Sequence, residues 1–169
     1  MGVQTVLRSV ALAFVGMTVT AGPITGAQMT PPSVHKHLYS ETADPTADIA
    51  AALKRARAEH KRVILDFGGD WCGDCQVLDI YFHDPANAAL LEKNFELVHV
   101  WIGHMDQHID VAAKYGVPIA HGVPALAVLD ARGKVLYAQS TGDFSKMRSM
   151  NIQSVTEFLG KWKAKSKVS

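Results

Sequence analysis

The run Val63-Ile64-Leu65-Asp66-Phe67 is apolar at successive rather than alternate positions, and it leads almost at once into Trp71-Cys72-Gly73-Asp74-Cys75. A strand with one face in water alternates, whereas a strand covered on both faces does not. Such a strand sits inside a sheet with helices above and below it, which confines the chain to the α/β class. The two cysteines that follow are spaced for one helical turn, so the strand hands over to a helix there. Sulfurs this close can form and break a bridge with little backbone movement. A helix N-terminus also favours the thiolate, the reactive form of the thiol.

Cys72 and Cys75 are the only cysteines among 169 residues. Two cysteines cannot staple a domain of this length, so the fold rests on its hydrophobic core and the pair is there to react. A hydrophobic content of 48% and a charged content of 20% suit one soluble globular domain. A net charge of +1 gives no reason to expect nucleic acid or an anionic membrane as partner. Zinc is the competing use of a C-x-x-C pair, but zinc takes four ligands and no second pair supplies the others. No metal is therefore expected, and no cofactor beyond the dithiol itself.

Residues 1–27 read as an export signal. Arg8 gives a modest positive start, Val10 to Val19 an apolar run, and Ala21 and Ala27 candidate cleavage points. The run is about ten residues, short of the roughly 20 that a membrane span needs. The mature protein is expected in the periplasm or secreted, where such a pair either rests as a disulfide or is held reduced by a dedicated donor. Residues 28–43, polar and broken by Pro31-Pro32, read as a flexible arm with at most a short strand near His37 to Tyr39. The folded domain is expected over residues 44–165.

Within it, Asp44-Pro45 opens a helix to about His60, and Asp84-Pro85 opens a second to about Lys93. Phe95 to Ile102 reads as another buried strand. Gln107 to Tyr115 reads as a helix capped by Asp106 and ended by Gly116. Ala125 to Leu129 and Lys134 to Gln139 form a hairpin, and Ile152, Val155, Leu159 and Trp162 line a last helix from about Asn151 to Lys163. Alternating helices and buried strands, then a hairpin and a helix, make a layered α/β sheet.

Four separated signals over roughly residues 61–163 make the chain resemble the thioredoxin superfamily, in particular its exported bacterial thioredoxin-like members. They are the W-C-G-D-C site, Asp66 six residues before Cys72, Gly122-Val123-Pro124-Ala125 ahead of a strand, and Gly142 after the hairpin. The resemblance implies the thioredoxin fold, a central mixed β-sheet flanked by helices on both faces. It implies that Cys72 is the nucleophile that attacks a partner disulfide and that Cys75 resolves the mixed disulfide. Asp66 is implied to exchange a proton with Cys75 through a water, which suits a carboxylate costly to bury as a charge. A cis Val123-Pro124 bond is implied to leave Val123 backbone groups free for an extended client segment, with Trp71 as a second contact surface.

Three departures from thioredoxin bear on function. Asp74 stands where thioredoxin has proline, and a negative charge beside Cys72 disfavours its thiolate and tilts the pair toward reduction. His99 stands where thioredoxins carry a lysine near the buried aspartate, which would make proton coupling sensitive to mild acid. The 117–123 connection is longer than thioredoxin's and borders the site. The expectation is a monomeric protein-disulfide reductase, a thiol–disulfide oxidoreductase acting on client proteins with disulfides and recharged by a membrane thiol relay. The alternative is a thioredoxin-like chaperone or assembly factor that binds clients without redox turnover. The histidines His104 and His108 share a helix spacing, but the cap at Asp106 falls between them, so a solvated loop is expected there.

Overall fold

The computed structural model describes residues 36–164; the export signal read over residues 1–27, the first part of the arm and residues 165–169 lie outside them. Two Asp-Pro pairs start helices as their chemistry dictates. Asp44 caps α1 (Pro45–Glu59), its carboxylate accepting from Thr46 and Ala47 amides, and Asp84 caps α3 (Pro85–Asn94) through the Ala86 amide. Between them run β1 (Arg62–Gly68) and α2 (Gly73–Phe82), the latter capped by Cys72.

The remaining elements are β2 (Phe95–Trp101), α4 (Ile109–Lys114), β3 (Ala125–Leu129), β4 (Val135–Ala138) and α5 (Ile152–Trp162). The sheet order is β2-β1-β3-β4, with β1 parallel to β2 and antiparallel to β3, and β3 antiparallel to β4. This is the mixed sheet of a thioredoxin fold. The apolar run Val63 to Phe67 lies in an inner strand, buried from Val63 to Gly68.

Alternate residues of β1 and β3 feed two separate cores. Val63, Leu65, Phe67, Ala127 and Leu129 pack against Ile49, Ala52 and Ala56 of α1 and Val111 and Ala112 of α4. Ile64, Leu126 and Val128 face Leu78 and Phe82 of α2, Leu91 of α3, and Val155, Phe158 and Leu159 of α5. Burying one such large side chain is worth about 1.5–3 kcal/mol, so each layer is held by many comparable increments. Among the described residues no helix is long and apolar enough to cross a membrane.

The structure departs from the sequence expectation at three places. The helix expected over Gln107 to Tyr115 begins later, because Asp106 spends its carboxylate on the His104 amide at 2.9 Å. The Ile102 carbonyl gathers the amides of Met105, Asp106 and Gln107 into a turn, and His108 precedes the helix in the left-handed region. β2 is an edge strand with alternating burial rather than a fully covered one. The described part of the arm forms no strand, yet it is fastened rather than free. Asp70 Oδ1 accepts from the Leu38 and Tyr39 amides at 2.8 and 3.1 Å, and Gln76 exchanges two hydrogen bonds with Lys36. Tyr39 is 3% exposed and belongs to the core, so the packed body reaches back beyond Asp44.

Candidate active site

The strand-to-helix handover fixes the cysteines. Cys72 has extended backbone at the N-cap of α2, and its sulfur accepts the Cys75 amide at 3.1 Å. That position aims the Cys75 amide and the positive end of the helix dipole at the outer sulfur, the geometry that stabilises a thiolate. The two cysteines are joined as a disulfide with Cα atoms 5.2 Å apart. Cys75 is fully buried, whereas Cys72 borders a cavity of about 510 Å³ that Trp71, Met105, Val123 and Arg148 also line.

Val123 and Pro124 lie across from the pair, and the peptide bond between them is cis. The Val123 carbonyl oxygen is 3.6 Å from Cys72 Sγ. Gln139, at the end of β4, is buried behind this loop and bonds both Pro124 O and the Leu126 amide. Gly142 stands where a Cβ would come within 2.5 Å of the His121 carbonyl oxygen, and its φ of +69° favours glycine in any case. Its role is to let the loop before Pro124 close down. Trp71 is 45% exposed, donates Nε1–H to the Gly103 carbonyl at 2.7 Å and stacks on His104. A large exposed aromatic held by its own hydrogen bond is a rigid contact surface.

Asp66 is 1% exposed. Its register partner on β2 is His99, and His99 Nδ1–H donates to Asp66 Oδ2 at 3.0 Å. Tyr39 Oη–H donates to the same oxygen at 2.7 Å, with the phenol ring edge-on to the imidazole. Asp66 Oδ1 is buried with no hydrogen-bond partner among the described residues. Burial works to lower the His99 pKa, but the hydrogen bond and charge of Asp66, with Asp79 and Asp70 beyond, raise it above the ordinary value. Burial and the Asp66 carboxylate hold the Tyr39 phenol well above its ordinary range, so it stays protonated.

The structure therefore brings together Cys72, Cys75, Val123 and Pro124, with Trp71 on the rim and Asp66 beneath. It joins His99 to Asp66. It also adds Tyr39, Gln139 and Arg148, which sequence reasoning did not single out. Tyr39 carried one signal, as the single Phe, Trp or Tyr in residues 28–43.

The reading of Asp74 is corrected. Its carboxylate accepts the Arg148 amide at 2.8 Å and the Arg148 guanidinium through Nε at 3.1 Å and Nη2 at 2.9 Å. Burial tends to raise its pKa, but the Arg148 hydrogen bonds and charge lower it, so it lines the Cys72 cavity as an ion-paired anion rather than a lone charge. His104 and His108 do not share a helix face, and no group of three or more His, Cys, Asp or Glu suited to a metal occurs among the described residues.

Comparison with known proteins agrees with this geometry. A thioredoxin-like family profile matches residues 44–131. The crystal structure of a disulphide isomerase from Xylella fastidiosa Temecula1 is 35% identical, with a TM-score of 0.71, over 75% of this chain and 96% of that one. Two curated relatives, the thiol:disulfide interchange proteins DsbD of Vibrio vulnificus strains CMCP6 and YJ016, are 35% identical over 97 residues, or 56% of this chain. The chain spans 16% of the length of those relatives.

Proposed function

The chain belongs to the thioredoxin-like family, and we propose that it is a thiol–disulfide oxidoreductase that works as an exported reductant of disulfides in client proteins. The observation that carries this reading is the placement of Cys72 at the α2 N-cap beside an open cavity, with Cys75 buried one turn inside.

In the reduced protein the Cys72 thiolate attacks a client disulfide and expels one client thiolate. Cys75 then gives up its proton, attacks Cys72 Sγ and releases the second client thiolate, leaving the internal disulfide. Two electrons pass from the dithiol to the client. Asp66 takes the Cys75 proton, Val123 offers its backbone to an extended client segment beside Pro124, and Trp71 covers that segment.

The reducing direction now rests on Asp66 rather than Asp74. Above the raised pKa of His99, where the imidazole no longer offsets it, the buried Asp66 carboxylate disfavours a second anion at the cysteine pair, and thiolate stabilisation is what makes such pairs oxidising. The N-terminal apolar run supports export to the periplasm, and an oxidising compartment then requires an electron donor such as a membrane thiol relay.

Reduction of insulin disulfides by a chain starting at residue 28, with dithiothreitol as donor, tests the reading. Turnover should vanish in Cys72→Ser, and Cys75→Ala should accumulate mixed disulfides. Activity unchanged in Cys72→Ser would contradict it, and clients bound by Cys75→Ala without any covalent adduct would favour a chaperone.

A further inference from the structure

The glycine that ends β1 marks a meeting point. A Cβ on Gly68 would lie 2.6 Å from Tyr39 Oη and 2.8 Å from Cys75 Sγ. The phenol oxygen and the inner sulfur thus converge over one Cα that carries no side chain. The same phenol donates to Asp66 Oδ2 at 2.7 Å. Tyr39 is anchored there by its own amide on Asp70 and by the latch between Lys36 and Gln76.

We propose that the Tyr39 hydroxyl links Cys75 to Asp66, carrying the proton that must leave Cys75 when it resolves the mixed disulfide. The inference rests on the exchange reading above and names the path its proton takes. A phenol oxygen has lone pairs to accept from S–H while its own O–H donates onward. The Cys75 S–H proton passes to Tyr39 Oη as the Tyr39 proton passes to Asp66, so the tyrosine is never an anion. Cys75 thiolate then attacks Cys72 Sγ, one S–S bond forms, and the client bond to Cys72 breaks with its electron pair leaving on the client sulfur. The proton count closes on Asp66.

The charged and titratable groups around this path come from four places. They are Asp66 on β1, His99 on β2, Asp79 on α2 and Asp70 in the turn before Trp71. Asp79 is paired with Lys36 at 3.2 Å and His83 at 3.0 Å. His37 reaches Asp70 at 3.0 Å. Asp66 is the one with a buried, unpartnered oxygen among the described residues. The segment before α1 is therefore part of the redox centre.

The test uses the chain from residue 28, reduced and mixed with dithionitrobenzoate, so that Cys72 first takes up one thionitrobenzoate. Release of the second, read by absorbance in stopped flow, times the attack by Cys75 as a function of pH. Tyr39→Phe keeps the ring and removes the hydroxyl. It should slow that release about tenfold near neutral pH and move the profile about one unit alkaline, the size expected for losing one charge-assisted hydrogen bond. The first step, uptake at Cys72, should keep its rate. Gly68→Ala, which keeps the tyrosine but drives a methyl between hydroxyl and sulfur, should slow the same step. Profiles of both variants superimposed on wild type would overturn the proposal while leaving the exchange reading in place. A wild-type chain that never releases the second thionitrobenzoate would overturn the exchange reading itself.

Discussion

At the scale of single residues, charge pairing decides what the site can do. Asp74 looked in the sequence like a lone anion beside Cys72, and the spacing could not reveal that Arg148, far along the chain, would meet it. Removing the cation should expose the effect the sequence suggested. Arg148→Gln should slow alkylation of Cys72 by iodoacetamide at neutral pH several-fold, and Asp74→Asn should speed it, since a unit charge close to a group near the protein surface is worth about 1–4 kcal/mol at short range. The His99–Asp66 pair gives a second test. In Asp66→Asn burial acts on the imidazole without the carboxylate that outweighs it, so its NMR titration should fall below the ordinary value of about 6.5. Because the folded-state pKa of His99 is raised, the pair's contribution to stability is complete below about pH 6.5 and is lost as pH climbs through the raised value. Thermal unfolding of wild type should show that decline, and Asp66→Asn should flatten it. His99 was legible as a position only through the family resemblance, and the parallel register of β1 and β2 sets it opposite Asp66.

At the scale of elements, the starts of helices with side-chain caps were readable, and the start of α4, which has none, was misplaced. Asp44-Pro45 and Asp84-Pro85 announce α1 and α3, and both carboxylates make their capping bonds; α5 was announced by its apolar spacing, and the structure adds the Asn151 cap. Asp106 sits in the same kind of sequence but turns its carboxylate back to His104, so α4 starts later and has no side-chain cap. Local signals compete there, and the fold of the Gly103 turn decides between them. The segment before α1 is the other element the sequence undervalued. Its polar composition says loop, and only tertiary structure shows Asp70 holding it by two amides. Asp70→Ala should raise amide hydrogen exchange at Leu38 and Tyr39 and lower stability by about 1–3 kcal/mol, the cost of orphaning such donors. On the α2 side, Leu78→Ala should cost about 2–5 kcal/mol in denaturant unfolding, because the side chain is fully buried between helix and sheet.

At the scale of the whole molecule, the class of fold was legible because one strand without alternation requires cover on both faces, and the chain supplies helices in the right order. The exchange pair was legible from its spacing and its place after that strand. What the sequence concealed was where the body begins. A chain cut to start at Asp44 would lose Tyr39 from the core and its bond to Asp66, and should unfold several degrees lower than the chain starting at residue 28. The account as a whole stands on Cys72 and Cys75 as a reversible, reducing two-electron centre. Equilibrating the chain from residue 28 across glutathione redox buffers, and reading the disulfide fraction by alkylation and mass, tests that most directly. The account predicts one two-electron transition, about 30 mV per tenfold change in the ratio, at a potential below roughly −220 mV. A pair that never exchanges with glutathione, or a potential near the −120 mV of strong disulfide oxidants, would contradict it.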